Sequence, residues 1–257
     1  MYPTPTDWTH RSRPDPGRSV TIASLAVVAL LVTARTGAAQ DPAAAERFQR
    51  QRWTMVRDHI AAMGVSDTAT LRAMRTIPRQ EFVPPQYRDQ AYGDHPLPIG
   101  YGQTISQPYI VAYMTETIQP HRGMRVLEVG TGSGYQAAVL AEVGCDVYTV
   151  EIFGELADSA ARRLARLGYS SVHARHGDGH DGWPDAAPFD AIVVTAAAGY
   201  IPPSLIAQLK PGGRMVIPVG SVYGAQYLIL VEKSPAGEVG SRTLLPVRFV
   251  PLLAGLR

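Results

Sequence analysis

The chain has 257 residues, 46% of them hydrophobic, and its 24 Lys and Arg against 22 Asp and Glu give a net charge of +2. This apolar content suffices for one ordinary globular core and excludes an intrinsically disordered protein. The near-neutral balance, with no long basic run, gives no reason to expect a nucleic-acid partner. The single cysteine, Cys145, excludes an internal disulfide and a cysteine-based zinc site. Arg162, Arg163 and Arg166 read as the solvated face of one helix. His173, His176 and His180 lie close in sequence, but two of them flank glycines in a loop, and no metal site is expected.

At the N-terminus, Arg11, Arg13 and Arg18 precede a mostly apolar stretch from Val20 to Val32, and Gly37-Ala38-Ala39 then supplies small residues before Gln40. This is the layout of a secretory signal peptide cleaved after Ala39. The apolar run is shorter than the roughly 20 residues of a membrane span, so no stable span is expected in the mature chain. Residues 1–39 are therefore set apart from a domain over 40–257. Over 46–62, Phe48, Met55, Val56 and Ile60 recur at helical spacing, and a second helix is expected from Ser66 to Arg75 with Ser66 as N-cap. Together these form a helical lead-in. From Ile77 to Gln103 the chain holds five prolines and three glycines and reads as an extended, irregular connection. Connections of that length usually carry function. Ser106 then opens a helix through Ile118, with Pro108 in its first turn and Ile110, Val111, Met114 and Ile118 on one face.

Beyond it, strands are expected at 125–129, 146–151, 172–175, 189–195 and 213–218, with helices at 134–143, 153–167 and 203–209. Such alternation predicts a doubly wound α/β fold with a mostly parallel sheet. The nearly unbroken apolar runs Phe189 to Val194 and Arg214 to Ile217 read as central strands buried on both faces. Gln226 to Glu232 and Ser241 to Val250 have no crossover helix between them and predict a C-terminal antiparallel hairpin, completing seven strands.

Chemistry enters at Val126-Leu127-Glu128-Val129-Gly130-Thr131-Gly132-Ser133-Gly134-Tyr135-Gln136, where an apolar strand runs into a glycine-rich turn. Gly130, Gly132 and Gly134 permit positive φ and close approach of a ligand, and the next helix points its N–H groups back at it. A dinucleotide fingerprint wants glycine where Tyr135 stands, which argues against NAD. Glu128 sits before the turn, badly placed for a pyrophosphate and well placed for a cation. S-adenosylmethionine is such a cation, with a sulfonium, an ammonium and no phosphate. Glu151, ending the run Val147 to Val150, suits the ribose hydroxyls. Asp178, in His176-Gly177-Asp178-Gly179, stands where it could reach the adenine edge. The cofactor set is thus Glu128, Gly130, Thr131, Gly132, Gly134, Glu151, Asp178 and Gly179.

The block Pro96-Leu97-Pro98-Ile99-Gly100-Tyr101-Gly102-Gln103-Thr104-Ile105-Ser106-Gln107-Pro108-Tyr109 resembles the signature of protein-L-isoaspartate O-methyltransferases. The likeness extends through Met114-Thr115-Glu116, Leu127 to Gln136, His176 to Gly179, Phe189 to Ala196, Pro211-Gly212-Gly213 and Val247-Arg248-Phe249-Val250-Pro251-Leu252. It covers residue 46 to the C-terminus, and the first forty-five residues depart from the compact members of the family. The resemblance implies a Rossmann-like class I S-adenosylmethionine-dependent methyltransferase. It implies a repair enzyme that methylates the free α-carboxylate of L-isoaspartyl residues in damaged proteins and peptides, after which the ester closes to a succinimide. It places Ser106 against the substrate carboxylate, where its hydroxyl would orient and not attack; helix capping alone is the competing role, and both can hold. Thr104, Ile105, Val250, Pro251 and Leu252 are expected at the same mouth, the last three with ordinary edge packing as the alternative. Pro98, Ile99 and Gly100 are expected either to lie over the peptide as a lid or to form a rigid loop.

The acceptor is a carboxylate with an ordinary pKa of about 3.5, so no general base is required. Family resemblance and the cytosolic origin of the donor imply a cytoplasmic monomer, while the signal-like residues 1–39 imply the periplasm or secretion. Two rival functions stand beside repair: methyl transfer to another acceptor, and an exported, non-catalytic binding module. Against an amino-methylating DNA enzyme, Ala197-Ala198-Gly199-Tyr200-Ile201-Pro202-Pro203 lacks the required loop order. Against a cytosine C5 enzyme, Cys145 precedes a strand instead of lying in a loop.

Overall fold

A computed structural model describes residues 42–221 and 223–255, and the signal-like stretch 1–39 lies outside the described residues. The lead-in begins with α1, Pro42–Thr54, earlier than its apolar spacing suggests. It widens into a π turn over Met55–Ile60, where Met55, Val56 and Ile60 become buried, and tightens into a 3-10 turn over Ala61–Met63. Helix α2 spans Thr68–Thr76, and its N-cap is Asp67, not Ser66. The Asp67 carboxylate accepts the Thr70 N–H at 2.7 Å, and the Ser66 N–H is taken by Glu116 Oε1 at 2.7 Å. A charged acceptor on an orphan N–H outweighs the neutral serine beside it.

The stretch expected to be irregular holds local structure. Two 3-10 turns, Arg79–Phe82 and Pro85–Gln90, lead to a small hairpin of β1, Leu97–Gly100, and β2, Gln103–Ile105. Leu97 pairs with Ile105 and Pro98 with Thr104. Helix α3 runs over Pro108–Thr117, later than expected, and Gln107 occupies its N-cap without a side-chain bond of its own. The cap comes from elsewhere: Asp94 accepts the Tyr109 N–H at 3.1 Å and the Gln107 Nε2–H at 2.7 Å. Ser106 is therefore not the N-cap, and its hydroxyl has no part in holding the helix.

The rest of the chain builds the sheet from β3 (Arg125–Val129), β4 (Asp146–Glu151), β5 (His173–His176), β6 (Phe189–Val194), β7 (Leu209–Gly220), β8 (Gln226–Lys233) and β9 (Val239–Val247). Helices α4 (Tyr135–Val143), α5 (Gly154–Arg166) and α6 (Pro203–Gln208) connect them. The order is β5-β4-β3-β6-β7-β8-β9, with parallel pairing from β5 to β7 and antiparallel pairing from β7 to β9. Strand β9 stops at Val247, short of the expected Val250, because the chain then leaves the sheet. Phe249 exchanges bonds with the Gln226 side chain, and the Leu252 N–H donates to Ala197 O at 2.8 Å.

Alternate residues of the central strands feed two cores. Val126, Ala191, Val193 and Val216 face the one shared with α3 and α4; Leu127, Val129, Ile192, Val194 and Ile217 face the other, which includes Leu205 of α6. All of these are buried, each contributing about 1.5–3 kcal/mol of transfer free energy at most for the larger side chains. Burial on both faces explains why the strands read as continuous apolar runs. The chain leaves β3 toward β4 and β5 on one side and returns to β6 on the other. That reversal opens a crevice beyond the carboxyl ends of β3, β4 and β6, which is where open α/β sheets bind ligands.

Candidate active site

The loop after β3 forms the floor of the crevice. Gly130 sits at φ 99°, and a Cβ there would stand 2.4 Å from the Thr195 hydroxyl oxygen, so only glycine fits. Thr195, just past β6, shares its hydroxyl proton between Gly130 O at 2.6 Å and Val129 O at 3.0 Å. At the end of β4, Glu151 accepts the Gly132 N–H at 2.7 Å and the Phe153 N–H at 3.1 Å. Its carboxylate lines the crevice and ties the glycine loop to the neighbouring strand end, while each oxygen retains a further lone pair.

Glu128 is fully buried in β3. Thr149 donates to its Oε2 at 2.5 Å, and Thr131, 2.6 Å from the Thr149 hydroxyl, donates in turn. The other oxygen, Oε1, has no hydrogen-bond partner. Burial pushes the carboxyl pKa up to about 8, with the Thr149 bond and a lesser one from the Ala137 N–H opposing and the Glu151 charge adding to the shift. Glu128 lines a small cavity with Thr104, Ser106, Gly130 and Gln136. A buried carboxylate with one unsatisfied oxygen beside a cavity is the environment a cationic ligand would complete, and on this ground the residues fit a sulfonium-bearing amino acid donor.

Asp178 is placed differently from Glu128 and Glu151. Its Oδ1 accepts the His180 N–H at 2.9 Å and the His180 ring at 3.2 Å, and its Oδ2 accepts the Gly255 N–H at 3.0 Å. Burial works to raise its pKa, but the bonds from Gly255 and His180 outweigh it and hold the carboxyl below the ordinary value. Asp178 thereby anchors the C-terminal tail, and it is Gly179 that reaches the crevice wall. The tail itself, Val250-Pro251-Leu252, is laid along the end of β6 by Ala197, whose N–H donates to Val250 O and whose carbonyl accepts from Leu252, both at 2.8 Å.

A second space, of about 390 Å³, opens between β2, the start of α3 and the segment after β9. Thr104, Ser106, Gln107, Phe249 and Val250 line it, with Arg248 as its only cation. Thr104, Thr195 and Val250 belong to both this cleft and the crevice beyond β3, β4 and β6. Ile105 is buried beside them and lines the small cavity under Glu128. Apart from Asp178, the expected residues thus converge, Gly134 supporting the loop from its helix start, where it packs on Leu164 and Ala160. Sequence reasoning missed, among others, the polar lining residues Thr195 and Arg248. Thr195 was open to recognition as the residue following a central strand, where such sheets carry their sites.

Residues 50–257 match the family model of protein-L-isoaspartate(D-aspartate) O-methyltransferase. The chain belongs to this family. Among its relatives, protein-L-isoaspartate O-methyltransferase 1 of Nitrosospira multiformis is 55% identical over 216 residues, covering 83% of this chain and 92% of its own. The protein-L-isoaspartate O-methyltransferase of Opitutus terrae is 55% identical over 230 residues, covering 89% and 97%. A solved protein-L-isoaspartate O-methyltransferase superposes with a TM-score of 0.70 at 33% identity, covering 81% of this chain and 66% of that one. A Plasmodium falciparum structure described as a protein-L-isoaspartate O-methyltransferase, in complex with S-adenosyl-L-homocysteine, shares the fold at TM-score 0.67 and 23% identity. It covers 80% of this chain and 98% of that one. Among the described residues of this methyltransferase, no helix is long and apolar enough to cross a membrane, and no group of three His, Cys, Asp or Glu is placed to hold a metal ion.

Proposed function

We propose that this enzyme takes S-adenosylmethionine in the crevice beyond β3, β4 and β6, and an L-isoaspartyl residue in the adjoining cleft, and methylates the free α-carboxylate. The observation that carries this reading is the meeting of the two spaces at Thr104, Thr195 and Val250, with a small cavity lined by both Glu128 and Ser106 reaching the same Thr104 and Thr195. When bound, the donor supplies a methyl group on a sulfonium. The carboxylate oxygen forms the new O–C bond as the S–C bond breaks, leaving an ester and a neutral thioether. The ester then loses methanol to the following backbone amide, and hydrolysis of the succinimide returns part of the chain to aspartyl linkage.

The residues act by placement. Gly130, Thr131, Gly132 and Gly134 shape the loop against the donor, Glu151 holds that loop, Glu128 faces the positive charge, and Asp178 with Gly179 closes the far wall. Ser106, free of capping duty, directs its hydroxyl bond to the acceptor carboxylate. Thr104, Ile105, Val250, Pro251 and Leu252 keep the meeting point narrow and weakly polar. Holding two reactants in near-attack geometry can supply roughly 7–11 kcal/mol of a barrier. An isoaspartyl peptide incubated with enzyme and donor should show the aspartyl isomer accumulating by chromatography; an unchanged peptide would reject the repair reading.

The methyltransferase domain is residues 40–257, a boundary supported by the family match from residue 50. We place the enzyme in the cytoplasm, where its donor is made. A mature chain starting at Gln40, found by N-terminal sequencing, would instead assign it to an exported compartment.

A further inference from the structure

Arg79 is a fully buried cation, and among the described residues no carboxylate is in contact with it. Its Nε donates to Ala91 O at 2.8 Å and its Nη2 to Ser106 O at 2.7 Å, while the guanidinium lies 4.7 Å from the Tyr135 ring centre. Among the described residues its Nη1 has no partner at ordinary hydrogen-bond geometry, the Tyr135 side chain being the polar group that reaches the guanidinium. Asp94, whose charge reaches it, already holds Gln107 and Tyr109 with its two oxygens. A buried charge without a counter-ion is costly, and an arginine does not escape the cost by losing its proton. Across the small cavity that Ser106 lines, Glu128 presents the mirror case, a buried carboxyl group that a cation beside it would keep ionised at neutral pH. The two reactants of the proposed reaction carry the missing signs: a cationic donor at Glu128 and an anionic acceptor at Ser106.

We propose that Arg79 is a positioning residue that acts through the Ser106 carbonyl and makes the acceptor site selective for an ionised carboxylate over its neutral form. This rests on the isoaspartyl reading above. Clamping the carbonyl fixes the Ser106 peptide, so the serine hydroxyl and the positive potential behind it are presented together to the cleft. The sign has a kinetic consequence. Methyl transfer removes the acceptor's charge, so Arg79 favours the bound substrate over the ester and adds nothing to the transition state that the substrate did not already have. It therefore acts on KM and on release of the ester more than on kcat.

The test compares two peptides as ligands of the S-adenosylhomocysteine-bound parent enzyme, one isoaspartyl and one its isoasparaginyl amide, at about 0.15 M and about 1 M salt. We expect the carboxylate to bind on the order of tenfold more tightly, the scale of one charge-assisted contact, and this ratio to survive high salt because a buried charge is poorly screened. Equal affinities would overturn the proposal, and a ratio that vanishes at 1 M salt would overturn it by assigning the preference to exposed Arg248 at the rim. In Arg79→Gln the ratio should collapse and KM rise with kcat largely kept, Arg79→Lys should restore part of it, and Arg248→Gln should leave it intact at high salt. A folded Arg79→Gln that weakens both peptides equally would reduce Arg79 to a scaffold residue. Methyl transfer by the parent to isoaspartyl but not aspartyl peptide tests the underlying reading separately.

Discussion

Gly130 and Thr195 are interlocked: the Thr195 hydroxyl donates to Gly130 O at 2.6 Å and occupies the space within 2.4 Å of where a Gly130 side chain would begin. The contact joins the glycine loop to the end of β6, and so joins the donor crevice to the acceptor cleft. Gly130→Ala must both strain a φ of 99° and displace a β-branched side chain that is already doubly bonded. Calorimetry should find donor affinity reduced by tenfold or more, roughly the effect of 1.4 kcal/mol. Adding Thr195→Ala should recover only part, since the backbone strain remains; full recovery would show that the clash alone matters.

Ser106→Ala should leave the melting temperature and donor affinity close to the parent values, because Asp94 and not Ser106 satisfies the start of α3. Turnover should fall by roughly tenfold or more, the worth of a lost bond to a charged group. Parental turnover in this variant would remove the serine from the chemistry.

Glu128 supplies a pH signature. Its folded pKa, about 8, lies above the unfolded value near 4.5, so between these values the unfolded chain binds fewer protons than the folded one. Stability of the donor-free enzyme should therefore fall as pH rises through that window, by at most about 1.4 kcal/mol per pH unit for one proton. A cationic donor favours the ionised carboxylate, so its affinity should rise with pH up to about 8. Denaturant titrations and donor binding from pH 5 to 9 should show both slopes in the parent and neither in Glu128→Gln; slopes unchanged in the variant would place the titrating group elsewhere.

Asp178 titrates the other way. Its folded pKa lies below the unfolded one, so its contribution is present above the unfolded value near 3.9 and is lost as pH falls through the folded value. Asp178→Ala should weaken donor binding by freeing the tail at Gly255 and shifting Gly179, and it should flatten the acid limb of the stability curve. An unaltered acid limb would mean that the tail is held without Asp178.

The centre of the parallel sheet was legible because β3 and β6 are buried on both faces and read as apolar runs, and β3 and β4 fall where those runs place them. The β1–β2 hairpin was not, since Leu-Pro-Ile-Gly and Gln-Thr-Ile are both too short to carry a period and the first is interrupted by Pro and Gly. Capping was misplaced for one reason twice. Glu116 withdraws Ser66 from α2, and Asp94 reaches α3 from a distant turn, and neither contact has a local sequence mark. The glycine loop and Glu151 marked residues that line the crevice, and the block around Ser106 marked residues that line the cleft. Arg79 gave no signal, because an arginine among polar neighbours reads as surface until the fold buries it.

The most direct test of the central claim is transfer of labelled methyl from S-adenosylmethionine to two synthetic peptides that differ only in isoaspartyl or aspartyl linkage, using residues 40–257. The joined crevice and cleft predict label on the isoaspartyl peptide alone, as a base-labile ester. Label on both peptides, or on neither with folded, donor-binding protein, would contradict it.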